Sequence, residues 1–166
     1  MVTGVLIPTS GQVIVDEGVP HETLDFSERM GLIIENTTFP KDLSGLQNLV
    51  TLSKINQVAT IEDIKSAFER VGLTEDDWNM KVANYSLAMR QKLSIAQAIF
   101  ERPKLLLLDE PTNGLDEEST WLLRKTLKEI ADAGSTVILA SHDKEDIAYL
   151  SDEVIHMDGG KIVNKN

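Results

Sequence analysis

The chain has 166 residues, with 27 acidic against 16 basic side chains and a net charge of −11, a size that suits one ordinary domain or part of a larger one. The acidic balance argues against tracking along a phosphate backbone, so nucleic acid is not an expected partner, although a single bound nucleotide is compatible with it. Without cysteine there is no disulfide, zinc thiolate or cysteine nucleophile, no apolar run is long enough to span a membrane, and the amino terminus lacks a signal-peptide pattern.

In chain order, Val13 to Val15 and Leu32 to Ile34 read as short strands, separated by the turn-rich Asp16-Glu17-Gly18 and a polar stretch. The segment from Phe39 to Trp78 is more helical than its surroundings and is expected to form a helical lobe. Within it, Ile61, Ile64, Phe68 and Val71 recur at helical spacing behind Thr60 as N-cap, and the acidic run Glu75 to Asp77 reads as a solvated turn. Met89, Leu93, Ala96 and Phe100 mark a second helix that ends before Pro103. The four residues Leu105 to Leu108 cannot alternate between inside and outside, which predicts a strand buried on both faces. Pro111 ends that strand and Asn113-Gly114 makes a turn.

Asp116 then caps a helix that opens with Glu117 and Glu118, as its dipole favours. Leu123, Leu127, Ile130 and Ala131 carry that helix to a stop at Gly134. Val137 to Ala140 reads as another buried strand, running into Ser141-His142-Asp143. Val154 to Met157 and Lys161 to Val163 flank Asp158-Gly159-Gly160, the pattern of a terminal hairpin. This alternation predicts an α/β fold without internal repeats. Trp78 and Trp121 read as packing residues, and His21 and His156, lacking ligand spacing, as structural ones.

Chemistry concentrates where apolar strands end. Ligands gather at the carboxyl ends of strands in open α/β sheets. There Asp109 is placed to hold a magnesium ion through water, and Glu110 to face a terminal phosphate and its attacking water. His142 ends the next strand, where an imidazole either donates to a phosphate and senses its loss or satisfies a loop carbonyl. Ser86 stands at a helix start, whose free amides and positive dipole end favour an anion. Its hydroxyl also suits an N-cap, and the two roles are compatible.

The order of these motifs resembles the nucleotide-binding domain of ATP-binding cassette (ABC) transporters over nearly the whole chain. Asp109 and Glu110 are similar to the Walker B aspartate and catalytic glutamate, Asn113 to Asp116 to the D-loop, and His142 to the switch histidine. Tyr85-Ser86-Leu87-Ala88-Met89-Arg90-Gln91-Lys92 stands in the place of the family signature, and Ile34-Glu35-Asn36-Thr37-Thr38-Phe39 in that of the Q-loop. The resemblance implies a P-loop NTPase-like ABC ATPase core with a mostly parallel sheet and a helical subdomain. It divides a partial domain over 1–166 into a lobe of about 37–100 and a core made of 1–36 and 101–166.

The cofactors implied are ATP and Mg2+. Glu110 and His142 would be catalytic, Asp109 and Glu35 would serve the metal, and Glu35, Ser86, Leu87, Ala88, Met89 and Asp116 would contact nucleotide. In the family the signature meets ATP held by the opposite subunit, which implies a second nucleotide-binding domain in a head-to-tail dimer. A transmembrane permease subunit, received beside Thr37 to Asn48, would hold the chain at the cytoplasmic face of the membrane, and the full domain would hydrolyse ATP to drive transport.

Leu87 and Ala88 replace the signature's usual glycine pair, and Met89 its glutamine. An alanine methyl fits against phosphate if φ is negative, so a working but weakened site is expected. Glu35 stands where most relatives carry glutamine, and a carboxylate still reaches a magnesium-bound water. Together these departures resemble the branch that exports antibiotic and bacteriocin-like peptides. No Gly-x-x-x-x-Gly-Lys-Ser/Thr occurs, so the expectation is a chain that lacks the N-terminal strands and opens inside the Walker A helix, with Met1 to Gly11 as its continuation. Open sheet edges, exposed apolar surface and negligible ATP hydrolysis by this chain alone would follow. The alternatives are a soluble family member of translation or DNA repair, or a catalytically dead remnant or binding module. Against the soluble member stand the single cassette, the acidic charge and the lack of a long coiled-coil insertion between Glu35 and Ser86.

Overall fold

The computed structural model describes residues 2–3, 7–15, 30–34 and 37–165. In chain order it comprises β1 (Met30–Ile33), α1 (Gly45–Asn56), α2 (Ile61–Arg70), α3 (Glu75–Asn79), a 3-10 turn (Val82–Asn84), α4 (Leu87–Ile99), β2 (Leu105–Asp109), α5 (Glu117–Asp132), β3 (Thr136–Ala140), α6 (Lys144–Leu150), β4 (Ile155–Asp158) and β5 (Lys161–Lys165). The first three strands form a parallel sheet in the order β1-β2-β3, with Leu32, Leu107 and Ile138 in register across it. Parallel neighbours need crossovers. Helices α1 to α4 make the first and α5 the second.

Local chemistry sets the helix starts. Ser44, Thr60 and Thr74 each accept a hydrogen bond from the backbone three residues on, and the side chains of Gln47, Asp63 and Asp77 answer on the cap's own N–H. These reciprocal caps satisfy amides that a helix end leaves orphaned. Thr74 and Asp77 thereby turn the acidic run into the first turn of α3 rather than a solvated turn, with three acids at the positive end of its dipole.

The core lies between the sheet and the helices. Ile64 and Phe68 of α2 and Leu93, Ile95 and Ala96 of α4 are buried with Leu106 and Leu108 of β2 and Leu123 and Leu127 of α5. Trp78 packs on Phe68 with ring centroids 5.3 Å apart. The Tyr85 hydroxyl donates to the Asp77 carbonyl at 2.7 Å, and burial, followed by the nearby Asp77 charge, pushes its pKa up to about 12. Thr126 of α5 donates to the Arg70 carbonyl at 2.9 Å and joins α2 to the core. At Gly31 the sheet and α4 approach so closely that a Cβ would meet the Ala98 carbonyl oxygen at 2.0 Å.

Three further readings of the sequence need correction. β3 is not buried on both faces: Val137 and Leu139 are half-buried against the core, whereas Ile138 is 49% exposed. As the outer strand of the described sheet it has cover on one side only. The run Val13 to Val15 yields one isolated bridge at Val15 and no strand, with Ile14 exposed. Trp121 is 56% exposed, because Leu123, Leu127 and Ile130 occupy the inner face of α5 and a residue two positions from Leu123 lies about 200° round the helix. Lys125 Nζ stands 5.7 Å from its ring centroid.

Other expectations hold. Trp78 is buried, and β4 and β5 pair as the terminal hairpin. Asp16 to Gly18 and His21 lie outside the described residues. Among the described residues no helix is long and apolar enough to cross a membrane.

Candidate functional site

The site begins where β2 ends. Asp109 is exposed at the carboxyl end of that strand. The Glu110 N–H donates to the Ala140 carbonyl at 2.9 Å, which pins the following turn to the end of β3. Glu110 takes a left-handed backbone at φ +45°, a region that residues with a Cβ enter rarely. The Asn113 N–H closes the turn on the Glu110 carbonyl at 3.2 Å.

The turn aims Glu110 at His142. His142 Nδ1 lies 2.8 Å from Glu110 Oε1. The hydrogen bond to Glu110, and next the charge of that carboxylate, raise the His142 pKa above the ordinary imidazole value, with smaller help from Asp143 and Asp146. Glu110 Oε2 is buried without a hydrogen-bond donor among the described residues. Its lone pairs are therefore available to a proton donor, which is what a general base requires.

Helix α4 forms the opposite wall. Gln91 Nε2 donates to the Pro111 carbonyl at 2.9 Å and ties the helix to the turn after Glu110. Gly114 has φ +77°, and a Cβ there would meet Leu87 Cδ2 at 3.2 Å, so the Asn113-Gly114 turn rests on the first residue of α4. Between these elements runs a groove of about 570 Å³ whose lining includes Asp109, Glu110, Asn113, Leu87 and Thr37.

Asp109, Glu110 and Leu87 line this groove, and Glu110 draws His142 to it. The other candidates lie elsewhere. Ser86 caps α4, accepting the Met89 N–H at 3.1 Å. Ala88 is helical and absent from the positive-φ residues, the condition under which its methyl is tolerated. Met89 is half-buried against the core. Asp116 caps α5 by accepting the Ser119 N–H at 2.8 Å, and its hydrogen bonds with Ser119 hold its carboxyl below the usual range. It lines a different hollow, with Trp121 and Arg124. Glu35 lies outside the described residues.

The carboxylate exposed at the end of β2 is compatible with a hydrated divalent cation. Among the described residues no group of three or more His, Cys, Asp or Glu side chains is arranged to hold an ion alone. A single exposed carboxylate such as Asp109 instead suits Mg2+, which keeps most of its waters and is shared with phosphates.

Sequence reasoning missed a second cluster behind the site. Asp146 of α6, fully buried, accepts from Thr112 Oγ1 at 2.8 Å, Arg124 Nε at 2.7 Å and Ser141 Oγ at 3.3 Å. A lone acid on a 7-residue helix leaves no periodic signal, and its partners are scattered along the chain.

Comparison with known proteins supplies the family. The family described as ABC transporter matches residues 1–113. The uncharacterized ABC transporter ATP-binding protein YybJ of Bacillus subtilis (strain 168) is 41% identical over 96% of this chain and 73% of its own length. The bacitracin transport ATP-binding protein BcrA of Bacillus licheniformis is 34% identical over 99% of this chain, which spans about half of that relative, 54%. A solved dimeric ATP-binding cassette, in a post-hydrolysis state with ADP and Pi bound, shares the fold at a TM-score of 0.89 and 20% identity, covering 99% of this chain and 76% of that one. With its parallel sheet and the order of its motifs, the chain belongs to the ATP-binding proteins of the ABC transporter family.

Proposed function

We propose that the chain supplies the hydrolytic face of a transporter's ATP-binding subunit, with Glu110 and His142 as the reacting pair. The observation that carries this reading is the 2.8 Å contact between Glu110 and His142 at the carboxyl end of the parallel sheet, beside the exposed Asp109. Asp109 would hold Mg2+ through water, and a bound ion supplies neutralising charge to the phosphates. Glu110 would orient the attacking water and take its proton as that water's oxygen bonds to the terminal phosphorus and the bond to the leaving ADP oxygen breaks. His142, held on Glu110, would donate to the terminal phosphate.

The start of α4, with Ser86, Leu87, Ala88 and Met89, would face a nucleotide held by a second copy in a head-to-tail dimer. Asp116, ending the Asn113 turn, would meet the same partner, and Glu35 would join the metal side. A permease would receive the groove wall beside Thr37 and keep the chain at the inner face of the membrane. BcrA is named for bacitracin transport, and an antibiotic peptide is the substrate class we favour. Both sequence relatives above carry transporter names, which lends no support to a role in translation or DNA repair.

The test is Mg-ATP hydrolysis by the 166-residue chain and by the same chain joined to a phosphate-loop segment, each with and without Glu110→Gln. Hydrolysis by the joined protein alone, abolished by the substitution, is the expected result. Hydrolysis indifferent to Glu110→Gln would overturn the assignment of the pair. In the joined protein Ala88→Gly should raise turnover, and an unchanged rate would mean that the methyl costs nothing.

A further inference from the structure

Asp146 is an acid that the fold buries completely, at 0% exposure. Both of its oxygens are engaged. Oδ2 accepts from Thr112, two residues after Glu110, and from Ser141, the residue before His142. Oδ1 accepts from Arg124 of α5, which also reaches Glu145 at 3.0 Å and Asp143 at 3.6 Å. Ser141 Oγ in turn accepts the Asp143 N–H at 3.0 Å, closing the backbone around His142. A buried carboxylate is costly unless fully partnered, and a buried ion pair adds little stability over apolar packing. Geometry is the more economical explanation of this one.

The His142 side chain is 79% exposed. Packing does not wedge it in place, so its alignment on Glu110 depends on the backbone that carries it. From this we infer that Asp146 is a positioning residue: its carboxylate clamps the Glu110 turn, the His142 loop and α5 together, fixing the Glu110–His142 contact and linking it to the helix that follows the Asn113-Gly114 turn. The inference rests on the proposed roles of Glu110 and His142, but its test needs no nucleotide.

The experiment reads the imidazole tautomer by 15N NMR at a pH where the ring is neutral, with the His142 resonance assigned by its loss in His142→Gln. Donation from Nδ1 to Glu110 fixes the Nδ1–H form, whereas which nitrogen a ring protonates is otherwise free to change. Wild-type protein should show Nδ1–H at His142. Asp146→Asn, and the milder pair Thr112→Val with Ser141→Ala, should lose that form while far-UV circular dichroism and cooperative melting persist. The paired hydroxyl removals keep the test decisive if Asp146→Asn does not fold.

Retention of the Nδ1–H form in the folded variants would overturn the clamp, as would its absence from the wild-type protein. The two ideas fail separately. Retained tautomer with hydrolysis still dependent on Glu110 removes the clamp and leaves the function. Lost tautomer with hydrolysis indifferent to Glu110→Gln leaves the clamp and removes the function.

Discussion

Glu110 alters the protonation of His142, and this gives the site a direction in pH. The folded state raises the His142 pKa, so the pair's contribution to stability is complete below the unfolded imidazole value of about 6.5 and is lost as pH rises through the raised folded value. Glu110→Gln removes the charged acceptor, and the His142 pKa should fall back toward its ordinary value. An NMR titration of the His142 ring in both proteins checks this, and identical titrations would show that Glu110 is not the cause. Asp143 behaves in the opposite sense. Its hydrogen bonds at the start of α6 lower its pKa, so its contribution is present at neutral pH and is lost on acidification.

At the scale of elements, β1 and α4 meet at Gly31, where a side chain has no room beside the Ala98 carbonyl. Gly31→Ala should destabilise the fold by about 1–3 kcal/mol or more through forced backbone shifts, read from urea unfolding midpoints. Stability unchanged by that methyl would mean the two elements separate easily. Elements with strong local patterns were legible in the sequence. Thr60 and Asp116 cap α2 and α5 as read, and β2 and the terminal hairpin follow their apolar runs and turn residues.

Other elements depend on information that no local window contains. α1 was not separately legible because it buries Asn48, a polar residue, beside Leu49. That side chain is satisfied by the Ser44 carbonyl at 2.9 Å and the Pro40 carbonyl at 3.2 Å. The apolar run in β3 looks the same whether neighbours cover one face or two. Asp109, Glu110 and His142 were legible because each stands just past or at the end of an apolar run. The partners of Asp146 come from three other segments, Thr112, Arg124 and Ser141, which only the tertiary fold assembles.

Over the whole molecule, the sheet presents two unlike faces. Leu106 and Leu108 are sealed beneath the helices, while Leu32 and Ile138, in register with Leu107, are 37% and 49% exposed. Leu106→Ala should therefore cost about 2–5 kcal/mol, because both apolar burial and packing are lost. Ile138→Thr should stay within about 0.5 kcal/mol, as surface substitutions usually do. Equal losses in parallel denaturant titrations would show that the Ile138 face is covered in solution. A family assignment needs the order of motifs along the chain, whereas the energetics of this sheet depend on which side of each strand a residue falls.

The left-handed backbone at Glu110 sets folding against chemistry. For a residue carrying a Cβ that conformation costs about 1–2 kcal/mol, and glycine, or to a lesser degree asparagine, adopts it with less strain. A library diversified at this position and screened solely for heat resistance should enrich glycine and asparagine, and sequencing the survivors checks it. Those survivors would have discarded the carboxylate that touches His142. Thermal selection alone would then remove the proposed base while leaving the architecture intact, and retention of glutamate at this strained position is what the proposed hydrolytic role requires.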